Sequence, residues 1–186
     1  FALGAESLFD VNQRSEYVET VVSKAIDQYV VQRNTPESPP LSPRFTSIID
    51  KMIARCIESE EYHQVLGIAL ESRRLDVIEQ VFKTTQDKAL LSYVLEMVIR
   101  VLNVPEVRRQ VLQLLVQLFQ SLDEPDYFST AQCYVYLNEP QPVSEMLRSL
   151  VRCAAKDEHA ALVAYQTAFD LVEGATQEFL HHVRAD

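Results

Sequence analysis

The stretch Glu61–Phe82, EYHQVLGIALESRRLDVIEQVF, decides the fold. Tyr62, Val65, Leu66, Ala69 and Leu70 recur at helical spacing and draw one apolar stripe. Leu75, Ile78, Val81 and Phe82 draw a second. One continuous helix would carry the two stripes on drifting faces. A short turn at Ser72–Arg73–Arg74 lets both face one core, although neither Pro nor Gly stands at the break. The segment therefore reads as an αα-hairpin, a unit that cannot bury its apolar face alone. Gly67 lies mid-helix, and a close helix crossing there would account for its propensity cost of ~1 kcal/mol.

The same pattern extends outward. Val18, Val21, Val22, Ala25, Ile26 and Tyr29 form one stripe, and Phe45, Ile48, Ile49, Met52, Ile53, Cys56 and Ile57 form another. The runs Lys88–Leu102 and Val107–Phe119 are apolar round much of their circumference, which predicts inner helices covered on more than one side. Start signals agree: Ser15 ahead of Glu16 and Glu19, Pro43, Pro105, Pro125 and Pro142 at first helical positions, and Asp87 and Asp157 as caps. Helices are expected near 1–9, 16–32, 44–58, 61–71, 74–84, 88–102, 105–121, 125–137, 142–152, 158–172 and 175–184. Their starts recur roughly every 17 residues, or about 35 per pair, the period of a helical-repeat array. The expected fold is all-α, a rod-like α-solenoid of stacked antiparallel hairpins, with residues 1–186 as one domain. The Pro-rich run 33–43, RNTPESPPLSP, reads as an exposed loop within it.

Composition narrows the function. Hydrophobic residues make up 47% and charged residues 24% of the 186, enough to build a core. Three glycines argue against phosphate-cradling loops. With 17 basic and 27 acidic residues the net charge is −10, which repels phosphate backbones and disfavours nucleic acid as a partner. No run approaches the ~20 apolar residues of a membrane span. Cys56, Cys133 and Cys153 are widely spaced and read as reduced, mostly buried thiols. The chain starts at Phe1 within a helical pattern and stops at Asp186 just after an amphipathic run, so a segment of a longer protein is expected.

Chemistry-bearing motifs are sparse. His63, His159, His181 and His182 fall in no zinc spacing, and no nucleophile elbow or dinucleotide fingerprint occurs. Neither a catalytic residue, a metal nor a cofactor is expected. Phe45, Phe82, Phe119, Phe128, Tyr165 and Phe169 fall on apolar stripes and read as core. Arg73 and Arg74 are the one basic spot of note. They could meet a partner carboxylate, or bond within the chain to helix-end carbonyls, Glu71 or Asp76.

Several segments, in order, resemble one family: ALGAESLFDVNQRSEYVETVVSKAIDQY (2–29), GIALESRRLDVIEQVF (67–82), EPQPVSEMLRSLV (139–151) and AYQTAFDLVEGATQEFL (164–180). They are similar to the N-terminal rod of the larger proteasome/cyclosome-repeat subunit of the 26S proteasome regulatory particle, the non-ATPase regulatory subunit 1 type. The resemblance spans nearly the whole chain, and SRRLDV within its frame is its most specific part. It implies a non-catalytic scaffold acting in ubiquitin-dependent degradation, in cytoplasm and nucleus, and bridging the ATPase ring and lid subunits. In that family the rod leads into a ring of Gly- and Ala-rich repeats and a receptor-docking tail. Three glycines cannot supply the ring, so rod alone is expected. Membrane, nucleic acid and small-molecule substrate are not implied. The alternative from the residues is a helical-repeat adaptor that binds peptide or ubiquitin in another complex. A concave groove lined by polar and aromatic side chains would distinguish it.

Overall fold

A computed structural model describes residues 24–31, 43–102, 104–154 and 158–185. All regular elements among them are α-helices. Residues 24–31 form α1. There follow α2 (Pro43–Glu58), α3 (Tyr62–Glu71), α4 (Leu75–Thr85), α5 (Lys88–Val101) and α6 (Pro105–Gln120). The last four are α7 (Tyr127–Leu137), α8 (Pro140–Ala154), α9 (Glu158–Gly174) and α10 (Gln177–Ala185). The expected helix 1–9, the start of 16–32, the Ser15 and Asp157 caps and nearly all of the loop 33–43 lie outside the described residues.

The chain divides into two compact units, one ending at Val81 and the other beginning at Phe82, both within α4. In the first unit α2 packs on α3. Its core takes Tyr29 from α1, Ile49 and Ile53 from α2, Val65 and Leu66 from α3, and Val77, Ile78 and Val81 from α4, all at most 4% exposed. The stripes expected at α3 and α4 are thus largely the buried ones, with Ile68 and Val77 added and Tyr62 and Leu75 only half-buried.

In the second unit α5 packs on α6, and α6 on α7. Helix α7 meets α8 and α9, and α8 meets α9 and α10. Helices α7 and α8 each touch their successor and also the helix two places on, which is how stacked hairpins bury one another. Ala131, Val143, Leu171 and Phe179, one from each of α7 to α10, share a single core cluster. The two runs expected as inner helices each bury one broad face, while Ser92, Glu96 and Arg100 of α5 and Arg109, Gln113 and Gln117 of α6 stay exposed. Leu91, Val94 and Val98 of α5 and Val111, Leu112, Leu115 and Phe119 of α6 are at most 2% exposed.

Helix starts follow the capping chemistry in part. The Asp87 carboxylate accepts from the Ala89 N–H at 2.7 Å, and Pro105 opens α6. Pro125 does not open α7. Asp126 caps that helix, accepting from the Ser129 N–H (3.2 Å) and hydroxyl (2.7 Å), so the helix starts at Tyr127. Helix α8 begins at Pro140, two residues before the expected Pro142; a first turn tolerates both prolines because its N–H groups have no intrahelical acceptor. Asp126 is 8% exposed and also receives Lys88 Nζ from the start of α5 at 2.8 Å. Burial pushes its carboxyl upward, but Lys88 and Ser129 outweigh that and hold it below the usual range.

Helix ends explain how three glycines suffice. Glu60, Arg73, Gln86 and Asn138 adopt positive φ of 59°, 56°, 51° and 57°. Glu61 N–H donates to Cys56 O (2.8 Å) and Glu60 N–H to Ile57 O (3.1 Å), while Glu139 N–H donates to Tyr134 O (3.0 Å) and Asn138 N–H to Val135 O (3.1 Å). These are Schellman closures built on side-chain-bearing residues in the left-handed region, at a cost of roughly 1–2 kcal/mol each.

The expected close crossing at Gly67 is not present. A Cβ built there meets no atom within 4 Å. The residue is half-buried and faces space, so its propensity cost is uncompensated. Gly67→Ala is therefore expected to stabilise the protein by about 0.5–1 kcal/mol, read by chemical denaturation. Leu115→Ala, at a fully buried site of α6, should cost about 2–5 kcal/mol in the same measurement. An unchanged midpoint would remove α6 from the core.

Candidate functional site

The turn between α3 and α4 is closed by backbone geometry and then held by one side chain. Arg74 N–H donates to Ala69 O at 2.8 Å and Arg73 N–H to Leu70 O at 3.3 Å. Together with the left-handed Arg73 these bonds form a Schellman motif with arginine in the usual glycine place. Ser72 is fully buried, and its hydroxyl donates to Ile68 O at 2.6 Å. The chain can therefore reverse at this point without Gly or Pro.

Arg73 and Arg74 part company in space. Arg73 is exposed at the tip of the turn. Arg74 is turned inward: Nε and Nη2 donate to the Asp76 carboxylate (2.8 and 2.6 Å), and Nη1 donates to Asp50 (2.9 Å) and the Tyr29 hydroxyl (3.2 Å). One guanidinium thus ties α1, α2 and the first turn of α4. Its planar fork suits this, giving two parallel bonds to one carboxylate and a third direction for the others. Asp76 hydrogen-bonds raise the Arg74 pKa above its usual range, and Arg74 in turn holds the Asp76 carboxyl below the usual carboxylate range. The bond to Asp76 is among those anticipated from the sequence. Asp50 and Tyr29 are not, because they lie 24 and 45 residues away.

A second surface corrects an expectation. Phe82 and Phe119 are buried, but Phe128, Tyr165 and Phe169 are 47%, 66% and 71% exposed, and the Phe45 side chain lies outside the described set. On α9 the buried face consists of Ala160, Ala164, Thr167 and Leu171. Leu162, Tyr165, Phe169 and Val172 form a separate exposed stripe. At 100° per residue it lies about 150° round the helix from the buried one. The helix has two apolar faces, and the one carrying small residues packs inward. Beside it, between α7 and α9, runs a groove of about 350 Å³ lined in part by Phe128, Tyr136, Asp170 and Glu173. Asp170 accepts from Gln166 Nε2 at 3.1 Å.

Other groups are placed as follows. Cys56 and Cys133 are buried and Cys153 is exposed, so the expectation of mostly buried thiols holds for two of the three. Burial, then the Asp126 charge, pushes the Cys133 thiol up to about 12. His181 and His182 stand edge to face with ring centroids 6.1 Å apart, and His182 Nδ1 lies 2.7 Å from Glu178 O. Among the described residues no group of three or more His, Cys, Asp or Glu side chains is arranged to hold a metal ion. No described helix is long and apolar enough to cross a membrane.

The two arginines can be separated by mutation. Arg73→Gly should raise stability by about 0.5–1 kcal/mol, since it relieves the left-handed strain. Arg74→Ala should lower it by about 1–2 kcal/mol; half-exposed carboxylates discount the ionic part. Because the folded Asp76 pKa is depressed, that difference is full above a pH of about 4 and shrinks as the pH falls through the folded value. Denaturation curves of both variants across acidic pH check each sign.

Residues 1–186 match the family described as "26S proteasome subunit RPN2, N-terminal domain". The chain is 42% identical over 189 residues to 26S proteasome non-ATPase regulatory subunit 1 homolog B of Arabidopsis thaliana, covering 99% of this chain and 19% of that relative. It is 41% identical to 26S proteasome non-ATPase regulatory subunit 1 of Drosophila melanogaster, with 98% and 18% covered. It is 36% identical to 26S proteasome regulatory subunit rpn2 of Schizosaccharomyces pombe, with 98% and 19% covered. The chain spans about a fifth of the length of these curated relatives. With the family matched end to end and the identities sustained over the whole chain, the chain belongs to the family of the N-terminal domain of 26S proteasome subunit RPN2, the non-ATPase regulatory subunit 1.

Proposed function

We propose that this chain is a segment of a non-catalytic structural scaffold in the base of the 26S proteasome regulatory particle. It supports assembly, and through it ubiquitin-dependent protein degradation. The observation that carries this reading is the family match over residues 1–186. The fold is compatible with it. Helices that bury one another pairwise make a stiff surface whose form is set by nearest-neighbour packing, and such a surface positions partners without bond chemistry. The partners in this reading are ATPase-ring and lid subunits, in cytoplasm and nucleus, with no nucleic acid, membrane or small-molecule substrate. Arg73 and Arg74 divide the work at the hairpin turn. Arg73 meets a partner carboxylate, and Arg74 holds the turn that presents it.

One feature favours a second reading, a peptide- or ubiquitin-binding adaptor of another complex. The groove between α7 and α9 combines aromatic rings with two carboxylates, a lining suited to an apolar peptide with a basic residue. Affinity purification through a tag on the full-length protein separates the two. A megadalton assembly containing ATPase-ring and protease subunits, with ATP-dependent peptidase activity, is the outcome expected of the scaffold. A small complex with none of these would sink the scaffold reading in favour of the adaptor.

A further inference from the structure

The groove between α8 and α10 sets unpaired positive charge beside an apolar floor in an acidic chain. It holds about 350 Å³ and is lined by Ser144, Leu147, Arg148, Val151 and Arg152 of α8 and Val183 of α10. The two helices already pack on each other, with Leu147 and Val183 half-buried against the core cluster that Val143 and Phe179 share. The groove is therefore a crease between finished neighbours, not a vacant end of the stack. Val151 stands 60% exposed at its edge. The chain carries 17 basic against 27 acidic residues, and several cations of this unit are engaged within it. Lys88 pairs with Asp126, Arg100 with Glu96 and Arg109 with Glu139, and Arg108 Nε donates to Leu102 O. Arg148 and Arg152 are exposed and make no ion pair with any described residue, although Glu145 stands three residues before Arg148. Two like charges one helical turn apart repel each other, and nothing in the described chain offsets that.

Charge and size restrict the occupant. Two free guanidinia beside Leu147, Val151 and Val183 call for a group that is anionic on one side and apolar on the other. A nucleic-acid backbone brings no apolar part to the floor, and the net charge of −10 repels it. A whole helix, with a diameter of ~10–12 Å, is too wide for the groove, which suits a few side chains. An extended peptide fits the spacing. Arg148 and Arg152 are four residues apart, about 6 Å along α8. Side chains on one face of an extended strand recur every second residue, at ~6.6 Å, and the residue between them points the other way.

We propose that the α8–α10 groove docks an extended acidic segment of a partner protein. Asp or Glu at alternate positions of that segment meets Arg148 and Arg152, one carboxylate to each guanidinium, and the apolar residue between them covers Leu147, Val151 and Val183. The inference does not use the scaffold reading, and a failure of that reading leaves it standing. The test uses the full-length protein in cells, with Val151→p-benzoylphenylalanine as a photo-cross-linker at the edge of the groove. Irradiation is expected to join it to one segment of a different polypeptide, and mass spectrometry of the cross-linked peptide is expected to find Asp or Glu on both sides of an apolar residue. Arg148→Glu combined with Arg152→Glu should cut the cross-link at least tenfold, and changing the two mapped acids to Lys should restore it. The denaturation midpoint of the double variant should match its parent, because neither arginine has an ion-pair partner among the described residues; that match separates lost docking from lost folding. If the reversal lowers the midpoint, Arg148→Gln with Arg152→Gln takes its place, with the same loss expected. A captured segment without the acidic pair, a segment of the same chain or of a second copy, a cross-link indifferent to both double variants, or no cross-link at all overturns the proposal.

Discussion

A short amphipathic helix cannot bury its apolar face by itself, and the arrangement of this protein depends on that constraint. Isolated helices of ten to sixteen residues are marginal in water. Each helix here gains its stability from the neighbours that cover it. Val94, Leu112, Leu115 and Phe119 are fully buried on α5 and α6, as are Val65 on α3, Cys133 on α7 and Val143 on α8. The same constraint explains α9. Its inner face is built from alanines, a threonine and one leucine, and it brings large apolar side chains to a second, exposed face.

Chain reversals place the helices so that burial is possible, and they do so by an unusual means. Glycine is the cheapest residue for a left-handed helix end. This protein uses Glu60, Arg73, Gln86 and Asn138. Core burial around each reversal offsets the strain. At the α3–α4 turn the strained residue leads directly into Arg74, whose guanidinium gathers Asp76, Asp50 and Tyr29. At the α5 and α7 starts Asp126 does similar work with Lys88 and Ser129. Arg74 and Asp126 thus sit at joints between helices, where each satisfies several elements at once.

Family membership gives these joints a functional setting. On the scaffold reading proposed above, fixed angles between the helices matter more than reactive groups. Among the described residues the shifted titratable groups are structural ones, with Arg74, Asp76 and Asp126 paired and Cys133 sealed by burial. Exposed surfaces among the described residues include Arg73, the groove between α7 and α9, and the α9 stripe.

Periodicity alone determined that the chain is helical, where most of its helices lie and that they pair. Helix spacing is a local property, and the 3.6-residue repeat records it directly. The break at Ser72–Arg74 was legible for the same reason, as was a bond from Arg74 to Asp76 two residues away. Tertiary structure decided what depends on residues far apart in the chain. Arg74 reaches Asp50 and Tyr29 only because α1 and α2 come alongside the turn. Gly67 faces open space because none of the described helices crosses there. Phe128, Tyr165 and Phe169 have the spacing of core residues, yet they are exposed. A helix with two apolar faces does not record in its sequence which face its neighbours will cover; on α9 the small residues packed inward and left the aromatic ones outside.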